Sequence, residues 1–177
     1  TLAYSYIGPS LSHPIYRDGT IGEAKKDLEK RAHNIDAALK AKGGAAYVSV
    51  NKGLITRSSS VIPIITQYLG VLFKIMKKQG THEGCIEQME RLFAERLYTA
   101  DGKVPVDSEN RIRMDDWEMD PKVQDEVNKV MPAVTEENVN ELVDLAGIRH
   151  DFLIINGFDV DGVDYNKEVT DMSKIEY

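Results

Sequence analysis

A tyrosine and a lysine separated by eight residues are the side chains of this sequence best suited to chemistry. Tyr16 precedes a glycine-containing turn, and Lys25 follows that turn at the start of a helical pattern. A phenol beside an ammonium group can deliver a proton, because the positive charge favours the phenolate and makes the phenol a better acid. We therefore expect Tyr16 and Lys25 to act together if the fold brings them close.

Their spacing constrains how they could meet. On one continuous helix the two positions would be roughly two and a half turns apart and would point to opposite faces. The segment 20–23 fits a capping box, with Thr20 as the N-cap and Glu23 reaching back to it. This arrangement predicts Tyr16 on the incoming loop and Lys25 about one turn inside the helix. The alternative is that Tyr16 is a half-buried loop aromatic and Lys25 a solvated helix residue.

The elements around this pair predict an α/β fold. Strands are predicted at 2–7 and 45–51, and between them an amphipathic helix over 21–42 ends at the pair Gly43 and Gly44. A strand, a helix and a strand in this order indicate a right-handed βαβ crossover in a parallel sheet. The remaining predictions are an apolar helix at 59–79, a charged helix at 82–98, short strands in a loop-rich stretch at 99–121, helices near 121–131 and 136–156 with a break at Gly147, and a strand or loop at 158–165.

Composition excludes several classes of protein. With 22 basic and 29 acidic residues the net charge is −7, which argues against binding to a nucleic-acid backbone. The single cysteine, Cys85, excludes an internal disulfide framework and is predicted to be a buried helix residue in a reducing cytoplasm. No apolar run reaches the length of a membrane span, and the start at Thr1 does not resemble a signal peptide.

Two short patterns resemble metal sites and fail on spacing. His82 and Glu83 begin like a zinc-protease helix, but Ile86 stands where the second histidine is needed. The stretch 159–162 begins like a calcium loop without the required ligand spacing or closing glutamate. We therefore predict no metal site. The dinucleotide fingerprint G-x-G-x-x-G is also absent from the chain.

The sequence resembles the bacterial trans-2-enoyl-CoA reductases, also called FabV-type enoyl-ACP reductases, whose signature is Tyr-x8-Lys. The resemblance runs in order along nearly the whole chain. It rests on the segments 1–9, 15–22, 47–56, 80–88, 111–118 and 157–165. Members of that family are about twice as long as this chain, and the part without a counterpart here holds most of the dinucleotide site.

The resemblance implies a function for individual residues. Tyr16 would donate the proton, Lys25 would contact NADH, and Tyr6 would contact an enoyl-CoA or enoyl-ACP substrate. The segment Leu54, Ile55 and Thr56 would also bind the cofactor, in the crevice beyond the carboxyl end of a strand. The alternatives are a strand-end core aromatic for Tyr6 and an ordinary strand-to-helix loop for 54–56. The apolar helix that follows could wall an acyl-chain pocket or simply belong to the core.

The resemblance also implies a domain organisation. The fold would be a Rossmann-like, doubly wound parallel sheet with extra substrate-side helices, and this chain would be its C-terminal half. Within it, 1–58 would form the active-site βαβ segment and cofactor loop, and 59–177 the substrate-side helices and the C-terminal segment. The missing N-terminal half would then be a partner. Two rival interpretations remain: another short-chain-dehydrogenase-type oxidoreductase, and a non-catalytic fragment that lacks the phosphate-binding half.

Overall fold

Three short parallel strands form the sheet of this protein. The computed structural model describes residues 1–168, so residues 169–177, the end of the predicted segment 59–177, lie outside the described part. Strands β1 (Leu2–Ser5), β2 (Tyr47–Val50) and β3 (Arg111–Arg113) lie in the order β1-β2-β3. Both strand pairs are parallel, which confirms the predicted α/β fold with a parallel sheet.

The central strand carries the buried face of the sheet. Val48 is opposite Ala3 of β1 on one side and Arg111 of β3 on the other. Val48 and Val50 are buried and pack with Ala32. A central parallel strand is covered on both faces, so β-branched residues suit it.

Two helices connect β1 to β2. A short helix, α1 (His13–Tyr16), is followed by the long helix α2 (Thr20–Lys40). The predicted strand–helix–strand unit is therefore confirmed. Tyr16 differs from its prediction, since it ends α1 instead of lying in a loop.

The predicted capping box is wrong. Gly19, in an extended conformation, is the N-cap of α2, and it makes no side-chain capping hydrogen bond. Thr20 is already the first helical residue, and Glu23 forms an ion pair with Lys26 (2.6 Å) instead of reaching back. Because a glycine offers no capping oxygen, the helix begins through the backbone alone, with Glu23 N–H donating to the Gly19 carbonyl.

The helix α3 (Pro63–Gln79) is the centre of the main core. It begins four residues later than predicted, because residues 57–61 form turns held by Ser59. It ends at Gly80, whose φ of 73° is a left-handed conformation that glycine adopts readily. Its buried side chains include Ile65, Tyr68, Leu69, Val71, Leu72, Phe73, Ile75 and Met76.

The rest of the described chain is mostly helical. The charged segment forms α4 (Cys85–Arg91), which continues into a π-helical turn at Leu92–Leu97. Cys85 is exposed at the first position of α4, so its predicted burial is wrong. The first three residues of the helix are exposed, and its first buried residue is Gln88. The helices of this part are α4 (Cys85–Arg91), α5 (Pro121–Val130), α6 (Val139–Leu142) and α7 (Leu145–Ile154).

The predicted helix 136–156 is instead two helices. Its break lies at Val143 and Asp144 and not at Gly147, which lies inside α7. Asp144 caps α7 by accepting a hydrogen bond from the Gly147 N–H (2.9 Å). Residues 158–165 form turns and irregular structure, which is the loop alternative of the prediction.

Candidate active site

Tyr6 and Tyr16 meet where β1 ends. Tyr6 follows the last residue of β1, and Tyr16 ends α1, which packs back toward the strand. Their ring centroids are 5.0 Å apart and the ring planes are 85° apart, an edge-to-face contact. The two tyrosines that were predicted to act on the substrate are therefore neighbours.

Lys25 approaches the same place from the second turn of α2. Its Nζ lies 5.7 Å from the centroid of the Tyr16 ring. Gly22 makes this approach possible, because a Cβ there would overlap the backbone carbonyl of Arg17. The missing side chain lets α2 start directly against the end of α1, so the two residues converge without sharing a helix.

A cavity of about 250 Å³ collects most of the predicted site residues. Tyr6, Tyr16, Lys25, Leu54 and Thr56 all line it. Ile55 does not; its side chain is buried in the main core, so only its backbone can reach a ligand. The carboxyl ends of β1 and β2 thus open into one space, as in other parallel α/β proteins.

Ser59 organises the predicted cofactor segment. Its hydroxyl accepts from the Thr56 N–H (2.8 Å) and donates to the Leu54 carbonyl (2.9 Å). The Ser59 side chain therefore already satisfies the Thr56 N–H and the Leu54 carbonyl. Within residues 1–168, neither the N–H nor the C=O of Ile55 bonds to another protein group.

Burial governs the acid–base properties of the pair. Burial raises the pKa of Tyr16, and burial lowers the pKa of Lys25. The sequence-based expectation that Lys25 acidifies Tyr16 is not met in this structure. The reason is that desolvation disfavours the charged form of both groups.

The sequence prediction missed a buried carboxylate next to the cavity. Glu118 is fully buried; it accepts hydrogen bonds from the Tyr6 hydroxyl (2.9 Å), the Tyr68 hydroxyl (2.6 Å) and the Gly53 N–H (2.6 Å). Burial raises its pKa, although these hydrogen bonds and the charge of Lys52 oppose the rise. Its position in an acidic stretch, after Asp116 and Trp117, gave no sign of burial.

Lys52 is a second buried charged group, and it belongs to the lining of the cavity. Its Nζ donates to the Gly53 carbonyl (3.0 Å) and lies 4.7 Å from the centroid of the Phe73 ring. Burial lowers the pKa of Lys52 to about 8. The Lys52 N–H donates to Oε1 of Gln88 (3.2 Å). The backbone just before the cofactor segment is therefore held by hydrogen bonds to the side chains of Gln88, Lys52 and Glu118.

A larger open groove of about 600 Å³ lies beside the start of α3. It is lined by Pro63, Thr66 and residues between 134 and 145, and by none of the predicted site residues. Its one ionisable lining residue is Glu136. The groups able to donate and hold protons therefore lie in the smaller cavity.

Neither a membrane-spanning helix nor a cluster of metal-binding side chains occurs among the described residues. Among residues 1–168, no helix combines the length and apolar character that crossing a bilayer requires. Within the same range, no three His, Cys, Asp or Glu side chains gather in a way that could hold a metal ion.

Fold and site together define an α/β protein with a tyrosine and a lysine at the carboxyl end of its first parallel strand. Comparison with known families gives a more specific result. The model described as the trans-2-enoyl-CoA reductase catalytic region matches residues 1–98, and the enoyl reductase FAD binding domain matches residues 106–169. The chain therefore belongs to the trans-2-enoyl-CoA reductase family.

Individual relatives agree with this assignment. The chain is 57% identical to trans-2-enoyl-CoA reductase [NADH] of Treponema denticola, over 99% of this chain and 44% of the relative. It is 52% identical to enoyl-[acyl-carrier-protein] reductase [NADH] of Flavobacterium johnsoniae, over 99% of this chain and 44% of the relative. The chain thus spans less than half the length of these relatives.

A solved structure matches the fold as well. The crystal structure of Treponema denticola trans-2-enoyl-CoA reductase in complex with NAD superposes with a TM-score of 0.87 at 59% identity, covering 96% of this chain and 42% of that chain. This match confirms the predicted α/β fold class.

Proposed function

We propose that this chain is part of an NADH-dependent reductase of trans-2-enoyl thioesters, carried by CoA or by acyl carrier protein. The observation that carries the proposal is the convergence of Tyr6, Tyr16 and Lys25 on one cavity beside the segment 54–56. The relatives named as NADH-dependent enoyl reductases support it.

The residues present fit a nicotinamide cofactor. A carboxamide needs one hydrogen-bond donor and one acceptor, and the backbone of Ile55 can offer both beside the cavity. The Lys25 ammonium can hold ribose hydroxyls, and the hydroxyl of Thr56, which lines the cavity, can reach a phosphate oxygen. The bound cofactor supplies a hydride to the β-carbon of the enoyl thioester and is oxidised by two electrons.

Hydride addition places negative charge on the thioester oxygen, and the chain must stabilise that charge and deliver a proton. We assign Tyr16 as the donor at this oxygen and as the proton source for the saturated product. Lys25 then lies close enough to stabilise the tyrosinate left behind. We assign Tyr6 to substrate contact, because it touches Tyr16 and lines the same cavity.

The domain organisation is also a proposal. We take the chain as the C-terminal half of one catalytic domain, with 1–58 as the active-site segment and 59–177 as the substrate-side and C-terminal part. In support, β1 is an edge strand, and an apolar hollow of about 160 Å³ opens between β1 and α2, lined by Ala3, Leu28 and Ile35. An open edge and an apolar hollow suit a further strand and helix from the missing half.

The cellular setting follows from the substrate. Reduction of an enoyl thioester belongs to fatty acid synthesis or to the formation of a short saturated acyl-CoA such as butyryl-CoA. The acidic composition and the lone Cys85 fit a cytoplasmic enzyme that does not bind nucleic acid.

The deciding experiment is NADH oxidation with crotonyl-CoA as substrate, performed with the full-length protein and with this chain alone. Oxidation by the full-length protein is expected, and a ketoacyl-CoA in place of crotonyl-CoA should be turned over far more slowly. Preference for the ketoacyl-CoA would favour another short-chain-dehydrogenase-type enzyme.

The second family model is described as FAD-binding, so the absorbance spectrum of the purified protein should be recorded to detect a bound flavin. If reduction of the substrate requires a bound flavin, direct hydride transfer from NADH is contradicted.

A further inference from the structure

Glu118 touches two parts of the candidate site at once. Its Oε1 accepts from the Tyr6 hydroxyl, which belongs to the proposed substrate side. Its Oε2 accepts from the Gly53 N–H, which immediately precedes the proposed cofactor segment. A single planar carboxylate, fully buried and unable to move into solvent, therefore fixes the separation between the two sides.

The hydrogen bonds around Glu118 have a defined direction. Tyr68 also donates to Oε1 (2.6 Å), while its own oxygen accepts from Nε2 of Gln124 (3.2 Å). The same Nε2 donates to the backbone carbonyl of Glu118 (2.7 Å). Two hydroxyls and one N–H thus converge on an acceptor-only carboxylate, so the proton of the Tyr6 hydroxyl points to Glu118.

The backbone at Gly53 is held at both ends by buried charged groups. Glu118 binds its N–H, and the Lys52 ammonium binds its carbonyl (3.0 Å). There is no space for a side chain here, since a Cβ would lie 2.7 Å from Cδ2 of Leu69 and 3.3 Å from the Tyr6 hydroxyl. The peptide orientation that leads into Leu54 is therefore set by this network.

We propose that Glu118 is a positioning residue of the site. It fixes the position of Tyr6 relative to the cofactor segment, and it accepts the hydrogen bond of the Tyr6 hydroxyl, so that this proton is not available to the substrate. Tyr6 then presents only hydrogen-bond-accepting lone pairs to the cavity, and the donor at the thioester oxygen is Tyr16. This inference rests on the proposed function, because it gives Tyr6 a role toward the enoyl thioester. Glu118 itself does not line the cavity and touches no reacting atom.

The test uses the full-length enzyme with NADH and crotonyl-CoA and compares wild type with Glu118→Gln, Tyr6→Phe and the double variant. In Glu118→Gln the single amide oxygen can accept the hydrogen bond from the Gly53 N–H. The amide NH₂ then faces Tyr6 and donates to its hydroxyl oxygen, so the Tyr6 proton points into the cavity. We expect kcat/KM for crotonyl-CoA to fall about 10–100-fold, the range of one hydrogen bond to a charged group. The KM for NADH should change less, because the Gly53 contact is kept.

Coupling to Tyr6 is the decisive readout. In the Tyr6→Phe background, Glu118→Gln should cost only a few-fold, because there is no hydroxyl left to orient. Glu83→Gln is the matched control, since Glu83 is also a buried acid but pairs with Arg91 (2.7 Å) and does not line the cavity. It should lower the melting temperature and leave kcat/KM unchanged.

Three outcomes would overturn the proposal: unchanged constants in Glu118→Gln, losses that simply multiply in the double variant, or a loss that follows melting temperature alone. If Glu118→Gln does not fold, Glu118→Asp takes its place. It keeps the charge, but it is one methylene too short to hold Tyr6 and Gly53 together, so an intermediate loss is expected and wild-type constants would again contradict the role. A folded wild-type enzyme that does not reduce crotonyl-CoA would instead overturn the proposed function.

Discussion

The ring of Tyr16 meets the ring of Tyr6 edge to face, with centroids 5.0 Å apart. One ring comes from the end of β1 and the other from the end of α1, so the contact ties the strand to the helix that follows. Such a pair contributes about 0.5–1.5 kcal/mol beyond the area it buries. It also places two hydroxyl groups in one cavity while Glu118 binds only one of them, which distinguishes their roles.

Tyr16→Phe should lower turnover of crotonyl-CoA by about 10²–10⁴-fold, the usual contribution of a positioned acid. The affinity for NADH should barely change, because the ring and its contact with Tyr6 remain. Steady-state kinetics and NADH titration on the full-length enzyme measure both quantities. Near-normal turnover would remove Tyr16 from the mechanism.

Lys25→Met should weaken NADH binding and lower turnover together, because we assign the ammonium to both the ribose and Tyr16. Lys25→Arg should restore only part of the activity, since a planar guanidinium cannot replace a compact ammonium at a half-buried site. Fluorescence titration of NADH is the direct measurement. Unchanged NADH affinity in Lys25→Met would show that the ribose contact is wrongly assigned.

Gly22→Ala should separate Tyr16 from Lys25. A methyl group there would overlap the Arg17 backbone, so the junction of α1 and α2 must open. We expect about 1–3 kcal/mol of lost stability from the overpacking, together with lower turnover. Gly44→Ala is the control, because its nearest contact would be the Leu39 Cβ at 3.3 Å and it does not line the cavity. Equal turnover in the two variants would argue against this role of Gly22.

Asp36 should make stability depend on pH. It accepts from the Lys40 ammonium (2.8 Å) and the Ala46 N–H (3.0 Å), and these hydrogen bonds lower its pKa. The stabilisation is therefore complete above the unfolded-state pKa and disappears as the pH falls through the lower folded-state pKa. Asp36→Asn should be less stable than wild type at neutral pH, and the difference should shrink in acid.

Urea unfolding at several pH values measures this difference. Asp27→Asn is the control, because Asp27 lies exposed on the same helix and its ion pair among residues 1–168 is a longer one, with Arg31 at 3.5 Å. A difference for Asp36→Asn that stays constant into acid would contradict the linkage.

This chain alone should bind NADH poorly. Lys25 and the segment 54–56 reach only the nicotinamide end of the cofactor in our assignment, and the chain has no G-x-G-x-x-G turn for the diphosphate. Adding the proposed N-terminal half in trans should recover binding, as measured by titration calorimetry. Tight binding by the isolated chain would show that its cofactor site is more complete than we propose.

The sequence by itself determined the local elements of the site. The β-branched residues of β2 and the helical repeat of α2 are short-range patterns, so the strand–helix–strand unit followed from them directly. The spacing of Tyr16 and Lys25 gave only a condition for their approach, since the pair could converge only if the segment was not one continuous helix; the break between α1 and α2 meets that condition. The capping box failed because Gly19 competes for the N-cap position, and local pattern does not show which residue prevails.

Only the tertiary structure decided which polar groups are buried and what they contact. Glu118 lies 65 residues along the chain from Gly53 and 112 from Tyr6, and no local pattern links positions so distant. The pKa of Tyr16 likewise depends on how much protein surrounds its hydroxyl, so its direction was wrong when judged from Lys25 alone. Desolvation and long-range hydrogen bonds are properties of the packed chain, and they exist only once α1, α3 and the segment around Glu118 have come together.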